Sequence, residues 1–368
     1  GRGELQVNTP DHNRTGRPAG PWRAARLVPG LELVTRYDRV WLRHDLVAGV
    51  VLTALLVPQG IAYAELAGLP AVTGLYATLV PLLAYALVGP SRIMVLGPDS
   101  ALAPLVAATV VPLAGFDPAL RVELAGLLAI LVGAFLVAGG IARLGFLTDL
   151  LSKPVRVGYL AGVAATVVTS QLPQLLGVSV DGDGVFGDLT GLVRGLDQID
   201  QTTAAIGIGC AAMILVVRRY APLVPGVLIA VVAATVLVRV FDPSVAVIGE
   251  VPSGLPSFTI PSPSVEDLGR LTLGALAIAL LAFADTSVLS RSYASRLGER
   301  VDQSHELTAL GVAHLATGFF HGFPMSSSSS RTPVAEAAGA RTQLTGVVAA
   351  LLLGVVLVVG TDPLTDIP

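Results

Sequence analysis

Over 368 residues the chain is 53% hydrophobic and only 13% charged, with a mean hydropathy of +0.75 and a formal charge of −3. That leaves too little polar surface to coat a soluble globule, so the composition predicts an integral membrane protein. The single cysteine, Cys210, lies in an apolar run, which excludes a disulfide or a cysteine metal cluster within one chain.

The first forty-odd residues are polar, basic and rich in Pro and Gly, with no apolar core. They predict a cytoplasmic tail over 1–44 rather than a signal peptide. Beyond them come apolar runs near the ~20 residues that a helix rising 1.5 Å per residue needs to cross ~30 Å of hydrocarbon. A β-barrel would show alternating strands of ~10 residues instead. Eleven spans are predicted, at 46–64, 74–88, 98–113, 122–142, 157–176, 202–217, 223–240, 271–290, 304–321, 328–340 and 343–360.

Charge placement orients this layout, because cytoplasmic loops collect Lys and Arg. Of 23 such residues, 17 fall on one side, including eight in the tail and Arg143, Lys153, Arg156, Arg218, Arg219, Arg291, Arg296, Arg300 and Arg341. The opposite loops hold Asp181, Asp183, Asp188, Asp197 and Asp200, then Asp242, Glu250, Glu266 and Asp267. The N-terminus is therefore expected inside. Arg92 and Arg331 fall at membrane depth.

Two segments, GPDSALAP at 97–104 and SSSSSRTPVAEAAGAR at 326–341, start helices where a span should already be under way. A helix that begins inside the bilayer points unpaired N–H groups and the positive end of its dipole inward, which suits an anion. These half-helices are the third and tenth spans. The first starts about 53 residues after the first span and the second about 58 residues after the eighth. Seven spans separate the two units, so the second enters from the opposite side, giving an inverted repeat. A matching second unit needs three more spans beyond Pro368, so the second repeat is expected to be incomplete.

At this point the residues resemble the sulfate permease (SulP) family. DLVAGVVLTALLVPQGIAYAELAGLPAVTGLY at 45–76 carries the resemblance. It continues through GPSRIMVLGPDSA at 89–101, VPSGLPSF at 251–258, ADTSVLSRSYA at 284–294 and SSSSSRTPV…AGARTQLTG at 326–346. The resemblance implies an all-α polytopic membrane protein with a seven-plus-seven inverted-repeat transporter fold, usually followed by a cytoplasmic STAS domain and often dimeric. The expected organisation is a tail over 1–44, a first repeat over 45–241 and a partial second repeat over 242–368, with no STAS domain in the sequence.

The family's site lies between the third and tenth spans. The positions expected to contact substrate are Gln59 and Tyr63 on the first span, Ser100 and Ala101 on the third, and Ser328, Ser329, Ser330 and Arg331 on the tenth. Arginine at membrane depth costs at least ~2.5 kcal/mol, so a functional role is its default, and its planar fork of donors suits an oxyanion. With roughly +0.5 charge from each half-helix, such a site offsets a dianion such as sulfate. Asp285, late in an otherwise apolar span, matches a family position linked to proton or sodium coupling. A carboxylate beside an anion pocket repels the substrate until a proton or Na⁺ neutralises it, which ties the two fluxes together.

Plainer roles compete at several positions. Gln59 and Tyr63, one turn apart, also suit hydrogen bonds to neighbouring helices, and Asp285 also suits a salt bridge with Arg291. Arg92 is expected to snorkel to the interface, His314 to be a satisfied core histidine, Glu336 to pair with Arg341, and Asp99 to cap its helix. Gly158, Gly162, Ala164 and Ala165 permit close packing, though small residues facing lipid would look the same.

The expected activity is proton-coupled sulfate uptake by alternating access across the bacterial inner membrane, without a cofactor, resident metal or nucleic-acid partner. Sodium- or proton-coupled bicarbonate or C4-dicarboxylate transport and an uncoupled anion channel are the alternatives. A family departure at Ser329, often a bulky aromatic, suggests a roomier pocket and keeps the dicarboxylate reading open. An enzyme is disfavoured because His12, His44, His305, His314 and His321 show no catalytic or metal-binding grouping.

Overall fold

Each of the eleven apolar runs folds as a helix in a computed structural model of the protein. The structure describes residue 30 and residues 37–368, except 147–152, 179–189, 196, 198, 222–225, 242–244, 246, 250, 262–264, 299–300, 329, 366 and 368. Most of the expected N-terminal tail, and Ser329, lie outside the described residues.

The helices are α1 (Leu42–Leu66), α2 (Ala71–Val88), α3 (Ala103–Ala114), α4 (Pro118–Ile141), α5 (Lys153–Leu175), α6 (Gln201–Tyr220), α7 (Gly226–Phe241), α8 (Val265–Leu297), α9 (Gln303–Phe319), α10 (Arg331–Ala337) and α11 (Leu344–Val359), followed by a single turn, α12 (Asp362–Thr365). Among the described residues five, namely α1, α2, α4, α6 and α8, are long and apolar enough to cross a membrane, and shorter apolar helices include α3 and α11. Strands β1 (Leu96–Gly97) and β2 (Ser326–Ser327) precede α3 and α10 and pair antiparallel, Leu96 opposite Ser327 and Gly97 opposite Ser326.

Aspartates fix several helix starts by accepting otherwise orphaned N–H groups. Asp117 accepts from Ala119 and Leu120 at the head of α4, where Pro118 fills the first position. Asp200 does the same for α6 and Asp302 for α9. The hydroxyl of Thr203 and the backbone N–H of Thr202 hold the Asp200 carboxyl below its ordinary value.

The two half-helices are shorter than expected. α3 starts at Ala103, not 98, because Asp99 folds the chain into a turn in which its Oδ1 accepts from Ala101 N–H and its carbonyl from Leu102 and Ala103. α10 has seven residues, ending before Gly339, whose φ of 102° favours glycine. Pro333 sits in its first turn, where a missing N–H costs nothing.

Glycines set the closest helix contacts. On α4 and α9, Gly126 faces Gly318 and Gly133 faces Gly311, a seven-residue repeat on both helices. A Cβ at Gly318 would meet the Gly126 carbonyl at 2.5 Å and one at Gly133 the Gly311 carbonyl at 2.8 Å. Gly74 on α2 likewise lies against the Gly60 carbonyl of α1. Around these seams α1, α2 and α11 share one apolar core, while α3, α4, α8 and α9 build the other. α7 packs on α6 and touches α1. A Cβ at Gly158 or Gly162 on α5 would meet nothing within 4 Å among the described residues, so the tight glycine packing observed lies on α4 and α9. Gly318→Ala is therefore expected to lower stability by about 1–3 kcal/mol, since backbone must move to admit the methyl. Gly158→Ala should be neutral. Thermal unfolding in detergent checks both, and equal melting temperatures for the two variants would contradict the seam.

Asp45 ties the halves of the sequence together. Fully buried near the start of α1, it accepts from Tyr37 Oη at 2.9 Å, Arg341 N at 2.7 Å, Thr342 N at 3.1 Å, Thr342 Oγ1 at 2.7 Å and Thr345 Oγ1 at 2.9 Å. Gln343 adds a second tie, donating to the carbonyls of Ser91 and Met94 in the segment that leads to β1.

Candidate functional site

The β1–β2 pair brings the starts of α3 and α10 side by side. Ser328 N donates to the Val95 carbonyl, and Val95 N to Thr332 Oγ1. Thr286 on α8 supports β2 from behind, its hydroxyl accepting from Ser327 N. The five-serine run is thus ordered where it is described: two residues form β2, and the Ser328 hydroxyl accepts from Ser330 N and Arg331 N.

Arg331 fills the centre of the junction and is 1% exposed. Its Nη1 donates to the Pro98 carbonyl at 2.5 Å and its Nη2 to the Gly97 carbonyl at 3.0 Å, so the guanidinium clips α10 to the turn before α3. A Cβ at Gly97 would lie 3.1 Å from Nη1, so glycine admits the side chain. The third nitrogen, Nε, is buried without a hydrogen-bond partner among the described residues, as are Ser327 Oγ and Gln59 Oε1. Buried polar atoms are normally paired, so the two bare ones on β2 and α10, with that of Gln59 on the adjoining α1, mark a place for a polar ligand.

The other expected positions fall nearby. Tyr63 is half-buried one turn beyond Gln59 on α1, which packs against both α3 and α10. Ser100 is half-buried, Ala101 and Ser328 are buried, and Ser330 is exposed at the cap of α10. Asp285 is half-buried on α8, one residue before Thr286. A narrow cavity opens beside the site between Ser91–Met94 and the α8 side chains Ser290, Tyr293 and Leu297, reaching Thr332.

Local hydrogen bonding changes the electrostatics expected from two helix dipoles. The first N–H groups of α10 are taken by Ser328 and those entering α3 by Asp99. With α10 only seven residues long, the positive charge of the site resides chiefly on Arg331.

Several plainer expectations find partners. His314 Nδ1 lies 2.9 Å from the Leu310 carbonyl and Nε2 accepts from Met325 N, so this histidine anchors the approach to β2. Arg92 stacks over Trp41 at 5.0 Å. Glu336 pairs with Arg296 of α8 at 3.1 Å rather than with Arg341, because the chain turns at Gly339 and carries Arg341 N to Asp45.

Ser327 and Thr286 went unread in the sequence, Ser327 hidden in a uniform serine run. A third omission is Glu306 on α9, fully buried and accepting from the hydroxyls of Tyr85 and Ser91. Nothing in its local pattern marks it, since its partners are more than two hundred residues away.

The model of the sulfate permease family matches residues 42–368. The chain belongs to the sulfate permease family. It is 41% identical over 348 residues to probable sulfate transporters of Mycobacterium tuberculosis, covering 94% of this chain and 62% of theirs. Human solute carrier family 26 member 6 is 32% identical over 379 residues, covering 93% of this chain and 48% of that protein. The chain thus spans under two thirds of the curated relatives it matches. In fold it resembles the murine solute carrier 26 member A9 anion transporter in its inward-facing state, with a TM-score of 0.89, 21% identity and coverage of 100% of this chain and 66% of that one. The transmembrane domain of a cyanobacterium bicarbonate transporter gives a TM-score of 0.81 at 24% identity, covering 89% and 85%. The fold is accordingly that of polytopic membrane transporters, and the family the chain belongs to is one of transporters.

Proposed function

We propose that this sulfate permease family member carries out proton-coupled sulfate uptake by alternating access across the bacterial inner membrane, as a homodimer with its N-terminus in the cytoplasm. The observation that carries the reading is the buried Arg331 with its Nε bare, together with the equally bare Ser327 Oγ on β2 and Gln59 Oε1 on α1, the helix that packs on α10. An oxyanion supplies acceptors for the arginine and serine donors, and the amide of Gln59 turned end for end offers it N–H donors. Ser100, Ala101, Ser328, Ser329, Ser330 and Tyr63 complete the proposed shell.

The matched order of long helix, β-strand and short helix in both parts of the chain supports a seven-plus-seven inverted repeat. Residues 45–241 form its first unit and 242–368 part of its second. In this reading α1–α4 and α8–α11 carry the site, α5–α7 belong to the gate against which it moves, and the cavity beside Thr332 is the inward route. The inward-facing state of the similar murine transporter supports alternating access in this fold.

Reconstituted protein offered labelled sulfate, bicarbonate and succinate, each with and without proton and Na⁺ gradients, tests the proposal. Sulfate accumulation driven by an inward proton gradient is expected. Accumulation of bicarbonate or succinate alone, Na⁺ dependence, or a current indifferent to both gradients would each displace it. Asp285 is the proposed coupling acid. Asp285→Asn is expected to leave anion exchange largely intact while reducing accumulation driven by the proton gradient. Gradient-driven uptake equal to wild type would remove Asp285 from the mechanism.

A further inference from the structure

One helix holds the chain at the entry to both strands of the site. Glu306 and His314 lie eight residues apart on α9, about 12 Å along its axis, and both are fully buried. Glu306 Oε2 accepts from the Ser91 hydroxyl at 2.8 Å, and Oε1 accepts from the Tyr85 hydroxyl. Ser91 stands five residues before β1, in the stretch that ends at the Gly97 and Pro98 carbonyls held by Arg331. His314 Nε2 accepts from Met325 N at 3.3 Å, immediately before β2, while Nδ1 faces the Leu310 carbonyl at 2.9 Å. A proton on Nδ1, donated to that carbonyl, leaves Nε2 as the acceptor that Met325 requires.

α9 is itself held along its length by α4. A Cβ at Gly140 would meet the Ser304 carbonyl at 2.9 Å, one at Gly133 the Gly311 carbonyl at 2.8 Å and one at Gly126 the Gly318 carbonyl at 2.9 Å. The helix is therefore a fixed support for the two buried side chains that reach toward β1 and β2.

We infer that Glu306 and His314 are positioning residues of the anion site, setting the placement of its two strands, and hence its affinity, through Ser91 and Met325. This rests on the transport reading above. Binding groups must be held within about 0.5 Å of their working positions by neighbours that are themselves locked. The bare Ser327 Oγ rides on β2, and Arg331 is clipped to the chain leaving β1, so a shift of either strand moves one donor relative to the other. Gln343 holds the Ser91 and Met94 carbonyls from α11, and Thr286 holds β2 from α8. Loss of one anchor on α9 therefore loosens a strand without releasing it.

The test is sulfate uptake by reconstituted protein, with KM and maximal rate determined separately, alongside the sulfate concentration that gives half-maximal protection against thermal unfolding. Misfolded protein lowers only the maximal rate, so KM reports the site. Glu306→Leu and His314→Leu are each expected to raise KM, and the protecting concentration with it, about tenfold, the effect of one buried hydrogen bond. Glu306→Gln still accepts from Tyr85 and pairs with Ser91 Oγ through its amide N–H, and His314→Gln still offers Met325 an acceptor, so both should stay within about threefold of wild type. Ser91→Ala removes the Glu306 bond from its other end and should raise KM as Glu306→Leu does, with no further rise when the two are combined. A wild-type KM in Ser91→Ala overturns the inference, whether or not the leucine variants fold. Leucine variants that melt earlier with KM unchanged also overturn it, by assigning both residues a purely structural role. Glutamine variants as weak as the leucine ones overturn it as well, because the hydrogen bonds would then not be what matters. Wild-type protein that neither takes up sulfate nor is stabilised by it instead rejects the transport reading beneath it.

Discussion

Replacing Arg331 with lysine is expected to abolish sulfate uptake, lowering the rate at least a hundredfold, although the charge is retained. Arginine spans the junction with two donors, one to Pro98 and one to Gly97, and leaves Nε bare for the proposed anion. Lysine offers a single compact ammonium on a flexible stem and cannot reach both carbonyls while also facing an anion. Hydrogen bonds from a charged donor contribute about 1.5–3 kcal/mol each, and a buried carbonyl left bare costs about 1–3 kcal/mol. Loss of even one therefore loosens the link between the turn before α3 and α10 by a large part of the protein's net stability. Arg331→Met should fare worse, because it also removes the charge that offsets Asp99 and the anion. Uptake and thermal unfolding are to be measured together. Lysine uptake within threefold of wild type would show that charge alone suffices and that the clip is dispensable.

Residues far apart in the chain explain what could be read in advance and what could not. The long helices were legible, because crossing a bilayer demands a run of apolar residues whose length is visible in the sequence, whereas the bounds of the short α3 and α10 were not. The interruptions at 97–99 and 326–330 were also legible, since Gly-Pro-Asp and a serine run cannot continue an apolar span. Their consequence was less so. β1 and β2 are two residues each, too short for any period, and they meet only because helices elsewhere place them together. The depth of Arg331 was legible, and it is buried, but its carbonyl partners depend on that long-range pairing. Glu336 misled for a related reason: Arg341 is close in sequence, yet the end of α10 turns the chain away. The glycines show both sides of the problem. The seven-residue repeats at Gly126 and Gly133 and at Gly311 and Gly318 stood in the sequence, whereas a Cβ at Gly158 or Gly162, equally small residues, would meet nothing within 4 Å among the described residues. Small residues permit a contact without specifying where it forms.

Asp45→Ala is expected to cost the most stability of any single change considered, about 3–6 kcal/mol from the orphaned donors alone, enough to prevent accumulation of folded protein in the membrane. The carboxylate is fully buried and gathers five donors, two of them the backbone N–H groups of Arg341 and Thr342 at the approach to α11. No rearranged side chain replaces those acceptors without breaking the bonds to Thr342 and Thr345 as well. Tyr37 would lose its partner too. Burial and the adjoining Asp45 carboxylate together hold the Tyr37 phenol above its ordinary value, so it remains a donor. Asp45→Asn gives a graded test. One amide oxygen still serves Arg341 N, Thr342 N and Thr345 Oγ1, and the amide nitrogen then faces the hydroxyls of Tyr37 and Thr342, which can turn to accept. The asparagine variant should therefore be destabilised by about 1–2 kcal/mol, well short of the alanine variant. Expression level and thermal unfolding in detergent separate the two. Equal losses for Asn and Ala would mean that the negative charge rather than the acceptor geometry fixes α1 to α11, and an alanine variant as stable as wild type would deny Asp45 its part in joining the two ends of the fold.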